Sequence, residues 1–286
     1  MKLGCGLFGL AFELEQDFWG TMRKLADAGF TAVEPLYSFP KDPALLPDSP
    51  VPSFLRTIMW NNKRVSEVQP RLRELGLSIS SMHVGFLFGK EIEEGCKELI
   101  AFSEKSGIRR FMTSLEFDTA EKMENAATLM NTAAELLRGS GVTLGYHNHA
   151  MEFKPMGKGS DKSLMDAFLE KTSPDVQLQL DVGWQMYGGS DILSFMRQYK
   201  DRLISVHLKD FLADFASIPE DDAFAAIGDG ILPTREILEL LPELHLMDNG
   251  LMIDQDKAAK GAVLSEDLRK GATWLDAHLT DPGAAT

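Results

Sequence analysis

The sequence predicts an α/β protein of the (β/α)8 barrel class. Three observations lead there: eight short apolar runs alternate with eight amphipathic stretches, the length of 286 residues suits one such unit, and polar side chains recur where the later apolar runs end. Strands alternating with helices pair in parallel through right-handed crossovers, and eight repeats favour a closed barrel over an open sheet. A barrel of this size commonly forms one unit, so a single domain spanning residues 1–286 is expected.

The apolar runs place strands at residues 2–8, 31–36, 78–84, 109–114, 142–149, 176–182, 203–209 and 250–255. Helical periodicity places helices at 17–28, 63–75, 91–106, 119–138, 162–172, 190–199, 233–241 and 264–279. Asp17 is a good N-cap for the first helix, and Gly29, Gly76 and Gly107 supply left-handed helix stops. Pro233 fits a first helical turn, where the missing N–H costs nothing. Pro70 implies either a kink or a helix start near Ser66 or Gln69. Two connections are longer than a barrel needs: the proline-rich 37–62 and the acidic, aromatic 210–232. Both emerge on the face where strands end, where long loops cover or shape active sites. The tail from Pro282 to Thr286 is expected to fray.

Composition excludes several classes of function. A formal charge of −14 opposes phosphate backbones and anionic lipid, so neither nucleic acid nor membrane is expected as a partner. No apolar stretch reaches the roughly 18 residues of a membrane span. Cys5 and Cys96 are too few for a disulfide framework, and no basic segment followed by an apolar run opens the chain, so a cytoplasmic location is expected. Gly4-Cys-Gly-Leu-Phe-Gly9 matches the dinucleotide fingerprint in form only, because three residues before it cannot supply the required strand.

The strand ends carry the chemistry. Glu152, Asp181, His207 and Asp254 stand at or just past the ends of successive strands, and carboxylates with imidazoles at such positions converge on one divalent cation. The shared ion also removes the cost of burying those charges. His147 and His149 are two apart, so along a strand they point to opposite faces; if the strand ends at His147, the following loop brings His149 back. His83 ends the third strand and is placed to bind substrate hydroxyls, with Glu34 at the end of the second. Trp184 is either an aromatic face for a sugar ring or rim packing. Lys209, two residues beyond His207, either neutralises an enolate or pairs with Asp181 or Asp210. His245 and His278 lie away from strand ends.

Tyr146-His-Asn-His149 with Glu152-Phe153, Leu180-Asp-Val-Gly-Trp184, Val206-His-Leu-Lys-Asp210 and Asp254-Gln-Asp256 follow one another within residues 142–256, the segment where a family likeness is most specific. In these phrases the sequence resembles the xylose isomerase-like TIM-barrel superfamily, the sugar phosphate isomerase/epimerase group. The resemblance implies one divalent ion, manganese first with magnesium, cobalt or zinc as alternatives, held by Glu152, Asp181, His207 and Asp254. It also implies a sugar or polyol substrate and a homo-oligomer. One departure is Asp254, where the group has Glu, so its service as a second proton-transfer base is open; His147 or His149 is an alternative ligand to Glu152. The expected reaction is isomerisation or epimerisation of a keto-sugar through an enediolate, with Glu152 as base and Asp254 or a histidine such as His147 on the other face. The alternatives are a lyase or dehydratase of an inosose or oxidised glycoside, with His147 or His149 as acid, and a sugar-binding barrel without turnover.

Overall fold

Each expected strand forms, though two are interrupted. The computed structural model describes residues 2–39, 49–84, 92–157, 159–160 and 162–280. Its strands are β1 (Leu3–Gly6), β2 (Ala32–Glu34), β3 (Leu36–Tyr37), β4 (Met59–Trp60), β5 (Ser78–Ile79), β6 (Met82–Val84), β7 (Arg110–Thr113), β8 (Thr143–His147), β9 (Gln177–Asp181), β10 (Leu203–Leu208), β11 (Asp210–Phe211), β12 (Phe224–Ala225) and β13 (Leu251–Ile253). Eleven of them make one sheet in the order β4-β3-β6-β7-β8-β9-β10-β13-β1-β2-β5, parallel at every pairing.

That order closes on itself. Pro35 has no N–H to give the ladder and divides the second barrel strand into β2 and β3, while Ser80 and Ser81 divide the third into β5 and β6. β2 pairs with β5 and β3 with β6, so both halves of the second strand lie along the third and the sheet becomes a barrel. The Pro35 carbonyl still accepts the His83 N–H at 3.0 Å across the break.

The helices are α1 (Ala11–Gln16), α2 (Phe18–Asp27), α3 (Ser53–Ile58), α4 (Asn62–Glu74), α5 (Ile92–Ser106), α6 (Ala120–Leu137), α7 (Leu164–Lys171), α8 (Val182–Tyr187), α9 (Ile192–Gln198), α10 (Thr234–Leu240) and α11 (Leu264–Thr280). Asp17 caps α2 by accepting the Gly20 N–H at 2.9 Å, and Gly29 follows with φ of 93°. The Asn61 side chain caps α4, accepting from Arg64 N at 3.1 Å, and α4 runs through Pro70, which excludes a start at Ser66 or Gln69. Pro233 takes the position just before α10 rather than its first turn. Three short helices escape periodicity, because six residues show too little of a 3.6-residue repeat: α1, α3 and α8.

The core lies between sheet and helices, as in the packed rings of Tyr37, Phe102 and Phe111. A second apolar cluster, Phe211, Ala223 and Phe224, sits under the 210–232 connection against Trp184 and Tyr187. That connection is a built structure. β11 and β12 form an antiparallel pair, and the Asp210 carboxylate accepts the N–H groups of Phe211, Gly228, Gly230 and Leu232 at 2.8–3.1 Å. The 37–62 connection supplies α3 and β4, with residues 40–48 outside the described range; so is the tail at 282–286. Among the described residues no helix is long and apolar enough to cross a membrane.

Candidate metal centre

Period-two alternation sends Gln179 and Asp181 on β9 and His207 on β10 to the barrel interior, and His147 at the end of β8 joins them. His147, Asp181, His207 and Asp254 each offer one ligand atom, all within 4.8 Å of one another, and all four are buried. An overlapping group, His83, His147 and His207, meets the same test.

Behind the cluster stands a hydrogen-bonded layer. The Gln179 amide donates from Nε2 to Glu34 Oε2 at 3.0 Å, so its Oε1 must face the imidazoles. There it lies 2.8 Å from His83 Nε2 and 2.9 Å from His147 Nδ1. His147 therefore carries its proton on Nδ1 and keeps an Nε2 lone pair for another partner. Glu34 Oε1 lies 3.0 Å from His83 Nε2 and 3.1 Å from His207 Nε2, and Ser81 Oγ donates to Glu34 Oε2.

Charge is unevenly divided. Burial opposes ionisation of Glu34, but His83 and His207 outweigh it and hold the carboxyl well below its usual range. Burial likewise opposes the His207 cation, yet Asp254 and Glu34 push it up to about 10. Asp254 is driven well down by His207 and Lys209 against its own burial. Burial lifts Asp181 to about 6, with Lys209 acting in the other direction. His147 and His149 are lowered chiefly by burial, His149 to about 4, so both are neutral at pH 7.

These residues fit a divalent ion. His207 Nδ1 stands 3.2 Å from Asp254 Oδ2, and Asp181 Oδ2 stands 3.0 Å from Lys209 Nζ, yet neither His207 Nδ1 nor Asp181 Oδ2 has a hydrogen-bond partner. Buried nitrogen and oxygen atoms at close range without hydrogen bonds are what a shared cation satisfies. Two imidazoles and two carboxylates form a mixed set that suits manganese, iron, cobalt or zinc.

Not every expected residue joins the cluster. The structure does not bring Glu152 to the other three: the 3₁₀ turn Met151–Phe153 folds its side chain back, where Oε1 accepts from the Tyr146 hydroxyl at 2.8 Å and Oε2 from the His149 N–H at 3.0 Å. His147 stands in the cluster instead. Because β8 ends at His147, the loop returns His149 to the same side, its ring 5.4 Å from that of His147. Lys209 pairs with Asp181 and donates to Asp256 Oδ2 at 2.6 Å, leaving Asp210 to order its loop. The Lys209 ammonium also lies 4.9 Å from the centre of the Trp184 ring.

A cavity of about 370 Å³ opens above the cluster. Glu34, His83, His147, His149, Lys209 and Asp254 line its polar floor, and Leu7, Phe8, Leu36, Trp184 and Phe224 its apolar wall. Phe224 and Glu220 reach it from the 210–232 connection, as its length suggests. Three contributors have no role in the sequence reading, Gln179, Gly6 and Gly183, and Asp256 enters it only as the end of the Asp254-Gln-Asp256 phrase. The alternation of Gln177, Gln179 and Asp181 on one strand face marks the first. The glycines have no such signal, since a Cβ on Gly6 would lie 1.8 Å from Asp254 Oδ1 and one on Gly183 would lie 2.4 Å from the Lys209 carbonyl oxygen.

Comparison with known proteins agrees with the barrel. Residues 22–278 match the family described as Xylose isomerase-like TIM barrel. An inosose dehydratase of Serratia proteamaculans is 26% identical over 249 residues, covering 80% of this chain and 79% of that protein. A sugar phosphate isomerase/epimerase from Parabacteroides distasonis superposes with a TM-score of 0.72 at 25% identity, covering 96% and 93% of the two chains. The IOLI protein, solved with a bound zinc atom, superposes with a TM-score of 0.65 at 13% identity over the full length of both chains.

Proposed function

Because the chain belongs to the xylose isomerase-like TIM-barrel family, we propose that it is a divalent-metal-dependent enzyme that dehydrates a keto-sugar or cyclic keto-polyol. It removes the proton next to the carbonyl and expels the hydroxyl β to it. His147, Asp181, His207 and Asp254 would hold the ion, which supplies a Lewis acid for the negative charge of the enolate. The observation that carries the reading is the neutral imidazole of His149 facing the cavity beside that cluster.

His149 acts as the base. Its Nδ1 is enclosed and unpartnered, its Nε2 is the ring nitrogen left open to the cavity, and its backbone is fixed by Glu152. Nε2 takes the α-proton; the C–H pair becomes the new double bond as the β C–O bond breaks. The imidazolium then returns its proton to the departing hydroxyl, which leaves as water, so one group serves both steps on one face. His83 and Lys209 offer polar contacts on the floor, while the Trp184 face accepts ring C–H groups. Glu34 has both oxygens occupied and orients His83 and His207.

Epimerisation needs a proton-transfer group on each face of the carbon. Both carboxylates of the cluster lie against one ammonium, Asp181 at 3.0 Å and Asp254 at 3.7 Å from Lys209 Nζ, which favours elimination. The likeness to a sugar phosphate isomerase/epimerase supports epimerisation as the second reading. Incubation of the manganese-loaded protein with inososes and keto-sugars in deuterated water separates the two. Elimination yields a product lighter by one water, whereas epimerisation yields an isomer deuterated at one carbon. Substrate recovered unchanged, undeuterated and with all its hydroxyls across the panel rejects both.

A further inference from the structure

We propose that Lys209 is a built-in counter-cation of the metal centre: its ammonium holds Asp181 and Asp254 in place when no ion is bound, and competes with the ion for them. This rests on the reading of those two residues as metal ligands. Nζ lies 3.0 Å from Asp181 Oδ2, 3.7 Å from Asp254 Oδ2 and 2.6 Å from Asp256 Oδ2. The side chain is 1% exposed. A buried ammonium is tolerated only when paired, and these three carboxylates pair it.

The placement is enforced by covalent shape. The Lys209 Cβ and carbonyl oxygen lie 2.5 and 2.4 Å from where a Cβ of residue 183 would be, so only a glycine there admits the lysine backbone to this depth. The Trp184 ring covers the ammonium from one side. Two carboxylates of the cluster thus present an oxygen each to a cation that the chain itself supplies. Without an ion, repulsion between those carboxylates would otherwise push them apart.

Asp256 sets the strength of the competition. It lies outside the four-residue cluster and makes the shortest of the three contacts, so it draws the ammonium toward itself and away from the two ligands. Removing the lysine and removing Asp256 therefore act in opposite directions. Lys209→Met frees both ligand carboxylates, whereas Asp256→Asn leaves the ammonium to them alone. A lysine whose ammonium pointed away from Asp181 and Asp254 would alter metal affinity in neither direction.

The test is titration of Mn²⁺ into chelator-treated protein by calorimetry, with thermal unfolding of the same samples with and without the ion. Lys209→Met should bind Mn²⁺ at least about tenfold more tightly than the parent, because a unit positive charge 3 to 4 Å from two ligands is gone. Its unfolding temperature should fall in chelator and recover with Mn²⁺ by more than the parent's does. Asp256→Asn should bind Mn²⁺ more weakly, and it decides the matter alone if Lys209→Met does not fold. Equal or weaker binding by Lys209→Met, or unchanged binding by Asp256→Asn, overturns the counter-cation role while metal dependence stands. A parent that takes up no divalent ion overturns the functional reading and this one together.

Discussion

The ends of β8 and β10 carry matched pairs, His147 with His149 and His207 with Lys209, each two residues apart; His147, His149 and Lys209 line the cavity, and His207 stands with His147 in the cluster. Their charge states are opposite. The β8 pair is neutral: burial and the neighbouring imidazoles lower His147, and burial with Lys209 lowers His149 to about 4. With no ion bound the β10 pair is cationic: Asp254 and Glu34 bring His207 to about 10, and Asp181 with Asp256 hold Lys209 above its ordinary value, in both cases against burial, and a bound ion would take the place of the His207 proton. Three of the four side chains are buried and His149 is half-buried, and burial opposes a positive charge on every one. Carboxylate contacts make the difference, and they divide the site into a proton-accepting side and a charged side.

The largest effect should follow from breaking the charged side. Asp181→Asn removes a cluster oxygen and a partner of Lys209 together. Loss of partners behind the ligands commonly costs 10- to 100-fold in metal affinity, so loss of a ligand itself should exceed about 100-fold and abolish turnover. Calorimetric titration with Mn²⁺ beside a turnover assay checks this. Near-parental metal affinity in a folded Asp181→Asn protein would remove Asp181 from the ligand set.

Breaking the neutral side should be milder and of a different kind. His149→Ala leaves the four cluster residues in place, so metal uptake should persist while turnover falls about 10²- to 10⁴-fold, the usual worth of a positioned general base. His149→Gln, which keeps polarity without a basic nitrogen, should be as slow as alanine. A glutamine variant with near-parental turnover would make His149 a hydrogen-bonding residue and return the proton transfer to another group.

How much of this was legible in the sequence differs between the two ends. On β10 the strand runs through His207 to Leu208, so strand periodicity alone predicts that His207 points inward. On β8 the strand stops at His147, and the side-chain direction of the next five residues depends on a 3₁₀ turn that no periodicity announces. Position past the strand end and the resemblance both point to Glu152 as a ligand, with His147 or His149 as the alternative; tertiary packing turns Glu152 to Tyr146 and His147 stands in the cluster. The eight-strand order was readable because apolar runs and helix caps are local. Pro35 is a local signal for a break in the second strand, whereas the clearances at Gly6 and Gly183 depend on Asp254 and Lys209, which are far away in sequence and belong to the ends of neighbouring strands. Gln179 was half legible: its strand face could be read, but not that its amide would fix the tautomer of His147.

The smallest effect sharpens the comparison through pH. Burial raises the Glu152 carboxyl to about 7, against about 4.3 in an unfolded chain. The native state then holds a proton that the unfolded state has lost between those values, so this contribution to stability is full below about pH 4 and lost as pH rises through 7. His149 has the reverse sign: its native value is about 4 against about 6.5 unfolded, so its contribution is full above 6.5 and lost as pH falls toward 4. In the parent the two partly cancel across this window. Glu152→Gln removes the first and leaves the second, while its amide can still accept the His149 N–H and face the Tyr146 hydroxyl. The variant should gain stability relative to the parent as pH rises from 5 to 8, by an upper limit of about 3 kcal/mol for a shift of this size. Denaturant unfolding at several pH values reads that difference directly, and parallel curves for parent and variant would mean that Glu152 titrates at its ordinary value and is not enclosed as the structure has it.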